Sequence, residues 1–182
     1  MGASLPHSPL DAAGPAVWHP AAEEIAMPQL SLHSPLGDLT VSEEDGAIVS
    51  VDWGRGPMQT PTPLLREAVA QLQDYFDGKR RDFDLPLAPM GTAFRRKVWQ
   101  ALQAIPYGET RSYADIAQAV GCRAARAIGG ANGSNPIPII IPCHRVVGAD
   151  GSLGGYSGGE GPATKRFLIT LEAHAQGQGT PR

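Results

Sequence analysis

The sequence predicts an α+β fold in which a small N-terminal antiparallel sheet-plus-helix domain precedes a mainly helical C-terminal domain containing a helix-turn-helix. Residues 29–53 alternate apolar and polar side chains in short runs, which is typical of strands with one buried face. Residues 62–79 place apolar side chains at helical spacing. Residues 112–133 predict two short helices joined by a tight turn that contains glycine.

The predicted sheet is interrupted by turn sequences at 34–37 and 43–46, which favour an antiparallel meander or hairpin. The following helix carries Leu65 and Leu72 on its apolar face. Gly78 is placed to end this helix, because glycine readily adopts the left-handed conformation found after helix C-termini.

A proline-rich connection at 81–90 marks the expected boundary between the two domains. We therefore expect an N-terminal domain at 26–89 and a C-terminal domain at 90–176. The first residues are rich in proline, alanine and glycine with little periodicity, so 1–25 is predicted to be a disordered tail, as is 177–182.

The C-terminal domain is predicted to begin with a helix at 92–105, whose apolar residues share one face. Ser112 is a candidate N-cap for a helix that runs to Val120, and Gly121 then breaks it. A second short helix is expected from about residue 123 to 133.

The second of these helices is built mostly of alanine, glycine and isoleucine, and Arg126 is its one long cation. Small side chains let a helix backbone approach another surface closely, either inside the protein or on a partner. The helix lacks the several Arg, Asn or Gln residues that recognise base edges, which argues against sequence-specific readout of DNA.

Cys122 and Cys143 are the only cysteines, which excludes a disulfide scaffold and a cysteine-rich zinc site. Two free thiols suit a reducing compartment, and we find neither a secretory signal nor a stretch long enough to span a membrane. We therefore expect a cytoplasmic protein with no membrane partner.

Charge is distributed unevenly along the chain. Residues 1–89 hold five Lys or Arg and thirteen Asp or Glu, a net charge of −8, whereas the remainder holds ten and five, a net charge of +5. A basic C-terminal half favours contact with a polyanion such as DNA, although two halves that attract each other would give the same pattern.

The apolar run 137–141 is followed directly by Pro142-Cys143-His144-Arg145-Val146. The run predicts a buried strand or extended segment that delivers a cysteine, with a titratable histidine beside it, at its end. A thiolate is a strong nucleophile when its neighbours lower its pKa, but a cysteine in such an apolar setting can equally be an inert packing residue.

Three segments in this order carry a resemblance to a known family: AARAIGGANGSNP at 124–136, PCHRV at 142–146 and GYSGG at 155–159. Together with Lys165, Leu168 and Glu172 further on, they resemble the O6-alkylguanine-DNA alkyltransferases, in a form similar to the bacterial constitutive type. The resemblance is strong over 90–174 and loose over 29–89.

This resemblance implies a single-use repair reaction in which an alkyl group moves from the O6 atom of guanine to Cys143. It implies His144 as the base, acting through a bridging water, and Glu172 as the carboxylate that orients the imidazole. No metal or organic cofactor is implied. Whether O4-alkylthymine is also a substrate stays open.

The resemblance also implies how the flipped base is held. Tyr113 would hydrogen-bond the guanine ring, Tyr156 would form the aromatic wall, Ser157 would approach the O6 atom, and the backbone carbonyls of Cys143 and Val146 would bind the exocyclic amine.

For the DNA, the resemblance implies a helix-turn-helix in the minor groove of a duplex that carries alkylated guanine. Arg126 would fill the space left by the flipped base, and Asn135 would brace the turn before the active-site segment. The small residues Ala125, Ala127 and Gly129 would lie against the DNA. We expect the protein to act as a monomer.

Two other functions remain compatible with the residues alone. One is a DNA-binding regulator or lesion marker with an inert cysteine, and the other is a thiol hydrolase that uses Cys143 and His144. Arg145 is expected to form a structural ion pair, and Cys122 is expected to have no catalytic role. Because no cysteine precedes Cys122, the N-terminal zinc site found in some members of the family is not expected.

Overall fold

The computed structural model describes residues 27–175 and residue 177. The predicted tail 1–25 lies outside these residues, as does the tail 177–182 apart from Gly177. Among the described residues the elements are, in chain order, β1 (Gln29–Ser34), β2 (Gly37–Glu44), β3 (Ala47–Trp53), α1 (Pro63–Phe76), α2 (Ala93–Gln103), β4 (Arg111–Ser112), α3 (Tyr113–Ala119), α4 (Ala125–Gly133), β5 (Val146–Val147) and α5 (Pro162–Ala175).

The N-terminal part is the predicted antiparallel meander with one helix packed against it. Its strands pair in the order β1-β2-β3. The turn between β2 and β3 places Asp45 and Gly46 at positive φ, as tight hairpin turns require. Helix α1 is capped by Thr62, whose hydroxyl accepts from the Leu65 amide at 3.1 Å, and the chain turns away at Gly78 with φ 72°.

The two predicted short helices are α3 and α4. Ser112 caps α3 with a reciprocal capping box: the Asp115 amide donates to its hydroxyl, and its own amide donates to the Asp115 carboxylate. Gly121 turns the chain with φ 69°. Helix α4 begins at Ala125, about two residues later than predicted, and its N-cap Ala124 supplies no side-chain oxygen to satisfy the first amides.

The prediction of a strand or extended segment at 137–141 is wrong, although the run is buried as expected. The segment makes a tight turn in which the Ile141 amide donates to the Ile137 carbonyl at 2.9 Å and Ile139 has φ 73°. Pro138 and Pro142 flank this turn and have no amide N–H, so they cannot donate to a ladder of strand hydrogen bonds. Cys143 therefore lies in a one-turn 3-10 helix, Cys143–Arg145, instead of at the end of a strand.

The N-terminal sheet also touches the segments that surround Cys143. The Val51 amide of β3 donates to the Pro136 carbonyl at 2.9 Å. The Trp53 ring packs so closely on Gly158 that a Cβ atom there would lie 2.6 Å from it. On the other side, the short parallel pair β4 and β5 places the start of α3 next to Val146 and Val147.

Within residues 27–175 no helix is long and apolar enough to cross a membrane. The same residues contain no cluster of three or more His, Cys, Asp or Glu with the geometry to hold a metal ion.

Candidate active site around Cys143

Two asparagines fix the backbone that carries Cys143. Asn135 donates to the Ile141 carbonyl at 2.8 Å and accepts from the Ile137 amide at 3.0 Å, so its side chain ties the turn together from inside. Asn132, which is buried at the end of α4, donates to the Cys143 carbonyl at 3.2 Å. The role predicted for Asn135 as a brace agrees with this geometry, and the contact of Asn132 was not predicted.

Glu172 is buried behind the 3-10 helix, and its two oxygens are shared among four partners. Its Oε1 atom lies 2.7 Å from His144 Nε2 and accepts from the Tyr75 hydroxyl at 2.7 Å and from Arg145 at 3.0 Å. Its Oε2 atom accepts from Arg145 Nε at 2.9 Å and from the Gly108 amide at 3.1 Å. The expected structural ion pair of Arg145 is present, and its partner is Glu172.

Burial alone would raise the pKa of Glu172, but hydrogen bonds from His144 and Arg145, together with the positive charge of Arg145, outweigh burial and hold that pKa at about 2. Burial lowers the pKa of His144, and the charges of Arg145 and Lys165 act in the same direction. The imidazole is therefore neutral near neutral pH, so Arg145 supplies the charge that keeps Glu172 ionised.

These charges also fix the tautomer of His144. An ionised carboxylate can only accept, so the Nε2 atom of the neutral ring carries the proton and donates it to Glu172. The Nδ1 atom is then an acceptor, and it is buried without a hydrogen-bond partner among the described residues. The arrangement leaves one nitrogen of His144 able to take up a proton.

Cys143 is 4% exposed. Burial raises the pKa of its thiol above the usual value, and Asn135, Tyr156 and Lys165 offset part of that rise. The Tyr156 hydroxyl faces the thiol, and its interaction with the sulfur favours the thiolate. A thiol with a raised pKa is protonated at rest and needs a base before it can act as a nucleophile.

A cavity of about 340 Å³ opens between α3, α4 and the loop that follows β5. Its lining brings together three predicted base-binding residues with the end of α4: Tyr113, Gly129, Asn132, Gly133, Gly155, Tyr156 and Ser157. The Ser157 hydroxyl donates to the Gly133 carbonyl at 2.9 Å and so joins the loop to α4. Neither Cys143 nor Val146 lines this cavity, and both are buried. Cys143 is connected to the cavity through Asn132, which donates to its carbonyl, and through Tyr156, which interacts with its thiol.

The outer face of α4 contains the residues that were predicted to meet DNA. Ala125, Arg126 and Ala127 are exposed, and Gly129 is half-buried. Arg126 forms no hydrogen bond or ion pair with another described residue. A Cβ atom added at Gly129, Gly130 or Gly133 would meet nothing within 4 Å, so close packing inside the protein does not explain why these positions are glycine.

Three contacts at this site were not predicted from the sequence. The Tyr75 hydroxyl reaches Glu172 across 97 residues of chain, Trp53 packs on the loop after Tyr156, and Lys165 is buried beside Tyr113. Tyr75 and Trp53 carry only the apolar spacing of core residues in the sequence. Lys165, Leu168 and Glu172 follow one another at helical spacing, which places all three on one buried face of α5.

Comparison with known proteins identifies the family. Residues 93–174 match the model described as 6-O-methylguanine DNA methyltransferase, DNA binding domain, and residues 30–89 match the ribonuclease-like domain of the same proteins. The Bacillus subtilis constitutive methylated-DNA–protein-cysteine methyltransferase is 49% identical over 151 residues, which cover 76% of this chain and 91% of that protein. A Methanosarcina barkeri methylated-DNA–protein-cysteine methyltransferase is 46% identical over 150 residues, covering 78% of this chain and 94% of the relative.

Solved structures agree with this assignment. The Mycobacterium tuberculosis OGT in complex with DNA superposes with a TM-score of 0.73 at 43% identity, covering 81% of this chain and 93% of that one. The M. tuberculosis O6-methylguanine methyltransferase gives a TM-score of 0.72 at 44% identity, covering 82% of this chain and 94% of that one. The chain therefore belongs to the 6-O-methylguanine DNA methyltransferase family, as its sequence predicted.

Proposed function

We propose that this protein repairs DNA by transferring the alkyl group of O6-alkylguanine to the sulfur of Cys143, once per protein molecule. The observation that carries the proposal is the pairing of Cys143 with a neutral His144 whose Nδ1 atom is available. Tyr156, which interacts with the Cys143 thiol, also lines a cavity together with Tyr113. The relatives named above are methyltransferases that act on methylated DNA, and the same reaction fits this site.

The chemistry begins with removal of the thiol proton. His144 Nδ1 accepts that proton through a water molecule, and Glu172 stabilises the imidazolium that forms. The sulfur then attacks the alkyl carbon in line with the C–O6 bond, so that a C–S bond forms as the C–O bond breaks. The departing guanine keeps the electron pair of the C–O bond and takes up one proton, so the net change exchanges the thiol proton for the alkyl group.

Residues around the cavity would hold the base in position for this attack. Tyr113 would hydrogen-bond the guanine ring, Tyr156 would stack against it, and Ser157 would approach its O6 atom. The backbone carbonyls of Cys143 and Val146 would bind the exocyclic amine. A guanine inside a duplex is out of reach, so it has to be rotated out of the stack at a cost of a few kcal/mol.

The exposed face of α4 is suited to binding the DNA duplex. Its exposed alanines and glycines allow the helix backbone to approach a minor groove closely, with Ala125, Ala127 and Gly129 against the sugar-phosphate chains. Arg126 extends from this face without a partner among the residues that the structure describes, and it would occupy the space that the flipped base leaves. The helix offers no set of side chains for reading bases, which suits a protein that inspects any sequence.

The proposal is tested by incubating the protein with duplex DNA that carries radiolabelled O6-methylguanine. We expect label to move to the protein until each molecule holds one methyl group, after which fresh substrate gives no further transfer. A DNA-binding regulator with an inert cysteine would bind the duplex and acquire no label. A thiol hydrolase would release label into solution and continue to turn over.

A further inference from the structure

The loop that carries Tyr156 and Ser157 needs contacts from other parts of the chain to hold its shape. Glycine occupies positions 154, 155, 158, 159 and 161 around these two residues. Because glycine has the most permissive backbone of all residues, such a loop has little stiffness of its own. One contact comes from α4, where the Gly133 carbonyl accepts from the Ser157 hydroxyl at 2.9 Å. A second contact comes from the N-terminal domain, and the reaction described above gives it no role.

This second contact is made by the indole of Trp53, the last residue of β3. Trp53 is half-buried and lies on the same face of the strand as Val51, since side chains alternate along a strand. A Cβ atom on the buried Gly158 would lie 2.6 to 2.8 Å from the Cζ2, Cε2 and Nε1 atoms of the indole. A Cβ atom on Gly159 would lie 3.2 Å from its Cε3 and Cζ3 atoms. The ring therefore covers the backbone of both glycines and leaves no room for a side chain at 158.

The strand that carries the indole is itself fixed to the C-terminal domain. Two residues before Trp53, the Val51 amide donates to the Pro136 carbonyl at 2.9 Å. Pro136 follows Asn135, whose side chain ties together the turn that leads to Cys143. The end of β3 therefore contacts the segment before the nucleophile and the loop after it.

We propose that Trp53 is a positioning residue for alkyl transfer. Its indole holds the backbone of Gly158 and Gly159 and so keeps Tyr156 and Ser157 at the cavity. The N-terminal domain takes part in the reaction in this way without touching the substrate. The effect on alkyl transfer rests on the proposed function, whereas the effect on the loop does not.

The test compares Trp53→Ala, which removes the ring, with Trp53→Phe, which keeps an aromatic ring at this position. Leu30→Ala is the matched control, because Leu30 packs half-buried on the core from β1, at the opposite edge of the sheet from β3. For each variant, urea unfolding gives the stability, and hydrogen exchange reports on the backbone of residues 155–161. Transfer from O6-methylguanine duplex is measured on the same samples.

Trp53→Ala should slow transfer about tenfold or more, because small displacements of the groups that hold a substrate cost large factors in rate. Hydrogen exchange should become faster at 155–161 and stay at the parental rate in α3. Trp53→Phe should recover most of the lost rate. Leu30→Ala should lower the stability but keep the parental transfer rate. Parental transfer by Trp53→Ala, or an equal loss of transfer in Leu30→Ala, overturns the proposal.

Gly158→Ala approaches the same contact from the loop and leaves the N-terminal domain unchanged, in case Trp53→Ala does not fold. The three atoms nearest to the added methyl group all belong to the indole, so the ring or the loop has to shift. We expect transfer to fall about tenfold. In the Trp53→Ala background the same change should cost much less, because the ring is gone. Losses that multiply in the double variant overturn the proposal.

The indole N–H signals give a readout that does not depend on DNA. The tryptophans of the chain are Trp18, Trp53 and Trp99, so few signals need to be assigned. Gly158→Ala should shift the signal of Trp53 and leave that of Trp99, which donates to the Ala131 carbonyl, in place. An unshifted Trp53 signal overturns the proposal. A parent protein in which this shift occurs but which accepts no methyl group from DNA would refute the proposed function alone.

Discussion

Behind Cys143, three ionisable side chains are buried together, whereas in front of it helix α4 exposes little besides alanine, glycine and one arginine. On the buried side Glu172, Arg145 and His144 satisfy one another through hydrogen bonds of 2.7 to 3.0 Å. On the exposed side Arg126 has no partner among the described residues. Under the proposed function, the buried side would be ready for proton transfer before DNA binds, and the exposed side would keep the charge of Arg126 available for DNA.

This comparison predicts that changes on the buried side will slow alkyl transfer from every substrate. Changes on the exposed side should slow transfer from duplex DNA selectively.

The nucleophile lies between the two sides, and its removal should have the largest effect. Cys143→Ala should abolish methyl transfer while keeping affinity for methylated duplex, because the binding surface is separate from the sulfur. Cys122→Ala is the matched control, since that cysteine is half-buried in the turn between α3 and α4, and it should transfer at the parental rate. Stoichiometric methylation of the Cys143→Ala protein would remove this residue from its role.

The buried side should act as a unit. His144→Ala should slow transfer about 100-fold or more near neutral pH, which is the usual range for losing a general base. The loss should shrink at alkaline pH above the ordinary thiol pKa of about 8.5, because burial raises the pKa of Cys143 and its thiol ionises unaided only there. Adding Glu172→Gln to the His144→Ala protein should reduce the transfer rate little further, because Glu172 acts through His144.

The control for this pair is His33→Ala, since His33 is exposed on β1 and its ion-pair partner is Asp38. Transfer rates of the two single variants and the double variant are compared on the same duplex. Losses that simply multiply would mean that His144 and Glu172 work independently.

The contribution of the buried side to the stability of the fold should also depend on pH. Glu172→Gln leaves Arg145 buried without a counter-charge and should lower the free energy of unfolding by about 3 kcal/mol at neutral pH. Glu109→Gln, which breaks an exposed pair with Arg111, should cost less than about 1 kcal/mol. Because the pKa of Glu172 is about 2 in the fold against 4.5 for an ordinary glutamate, its contribution is present above pH 4.5 and is lost as the pH falls toward 2.

Urea unfolding from pH 7 down to pH 2.5 measures this directly. The difference in free energy of unfolding between wild type and Glu172→Gln should decrease as the carboxylate is protonated. A gap that stays constant across this range would show that the charge of Glu172 does not stabilise the fold.

The exposed side should give a smaller and selective effect. Arg126→Ala should slow transfer from duplex about tenfold, because base extrusion costs a few kcal/mol and the arginine offsets part of it. Transfer from free O6-benzylguanine, which needs no extrusion, should change little, provided that the cavity admits the benzyl group. Arg166→Ala removes the same charge from the exposed face of α5 and should leave both rates unchanged. An equal loss on both substrates would show that Arg126 supports the fold or the cavity.

Features that depend on neighbours in the chain were predicted well. The strand alternation of 29–53, the cap at Ser112 and the turn at Gly121 are confirmed, because each follows from residues a few positions apart. The prediction of a strand or extended segment at 137–141 was wrong, and the reason is local as well. Its prolines remove the amide donors that a strand needs, and apolar character alone could not distinguish a buried strand from a buried turn.

Contacts between distant parts of the chain could not be predicted in this way. The sequence predicts Tyr75 as a core residue on the apolar face of α1, and nothing near it indicates that its hydroxyl meets Glu172. Trp53 ends a strand, and only the folded chain brings it onto Gly158. The catalytic block was recognised because it resembles a known family, which supplied information that periodicity does not contain. The site roles drawn from that resemblance, including those of Tyr113, Ser157 and Asn135, stay predictions.

The central claim is that Cys143 itself receives the alkyl group, and mapping the transferred methyl tests it most directly. Trypsin separates the two cysteines, since it releases Cys143 in peptide 127–145 and Cys122 in peptide 112–123. After reaction of the wild-type protein with labelled O6-methylguanine duplex, we expect one methyl group per protein molecule, all of it on peptide 127–145. Label on peptide 112–123, or methyl groups released into solution while the protein stays unmodified, would contradict the account.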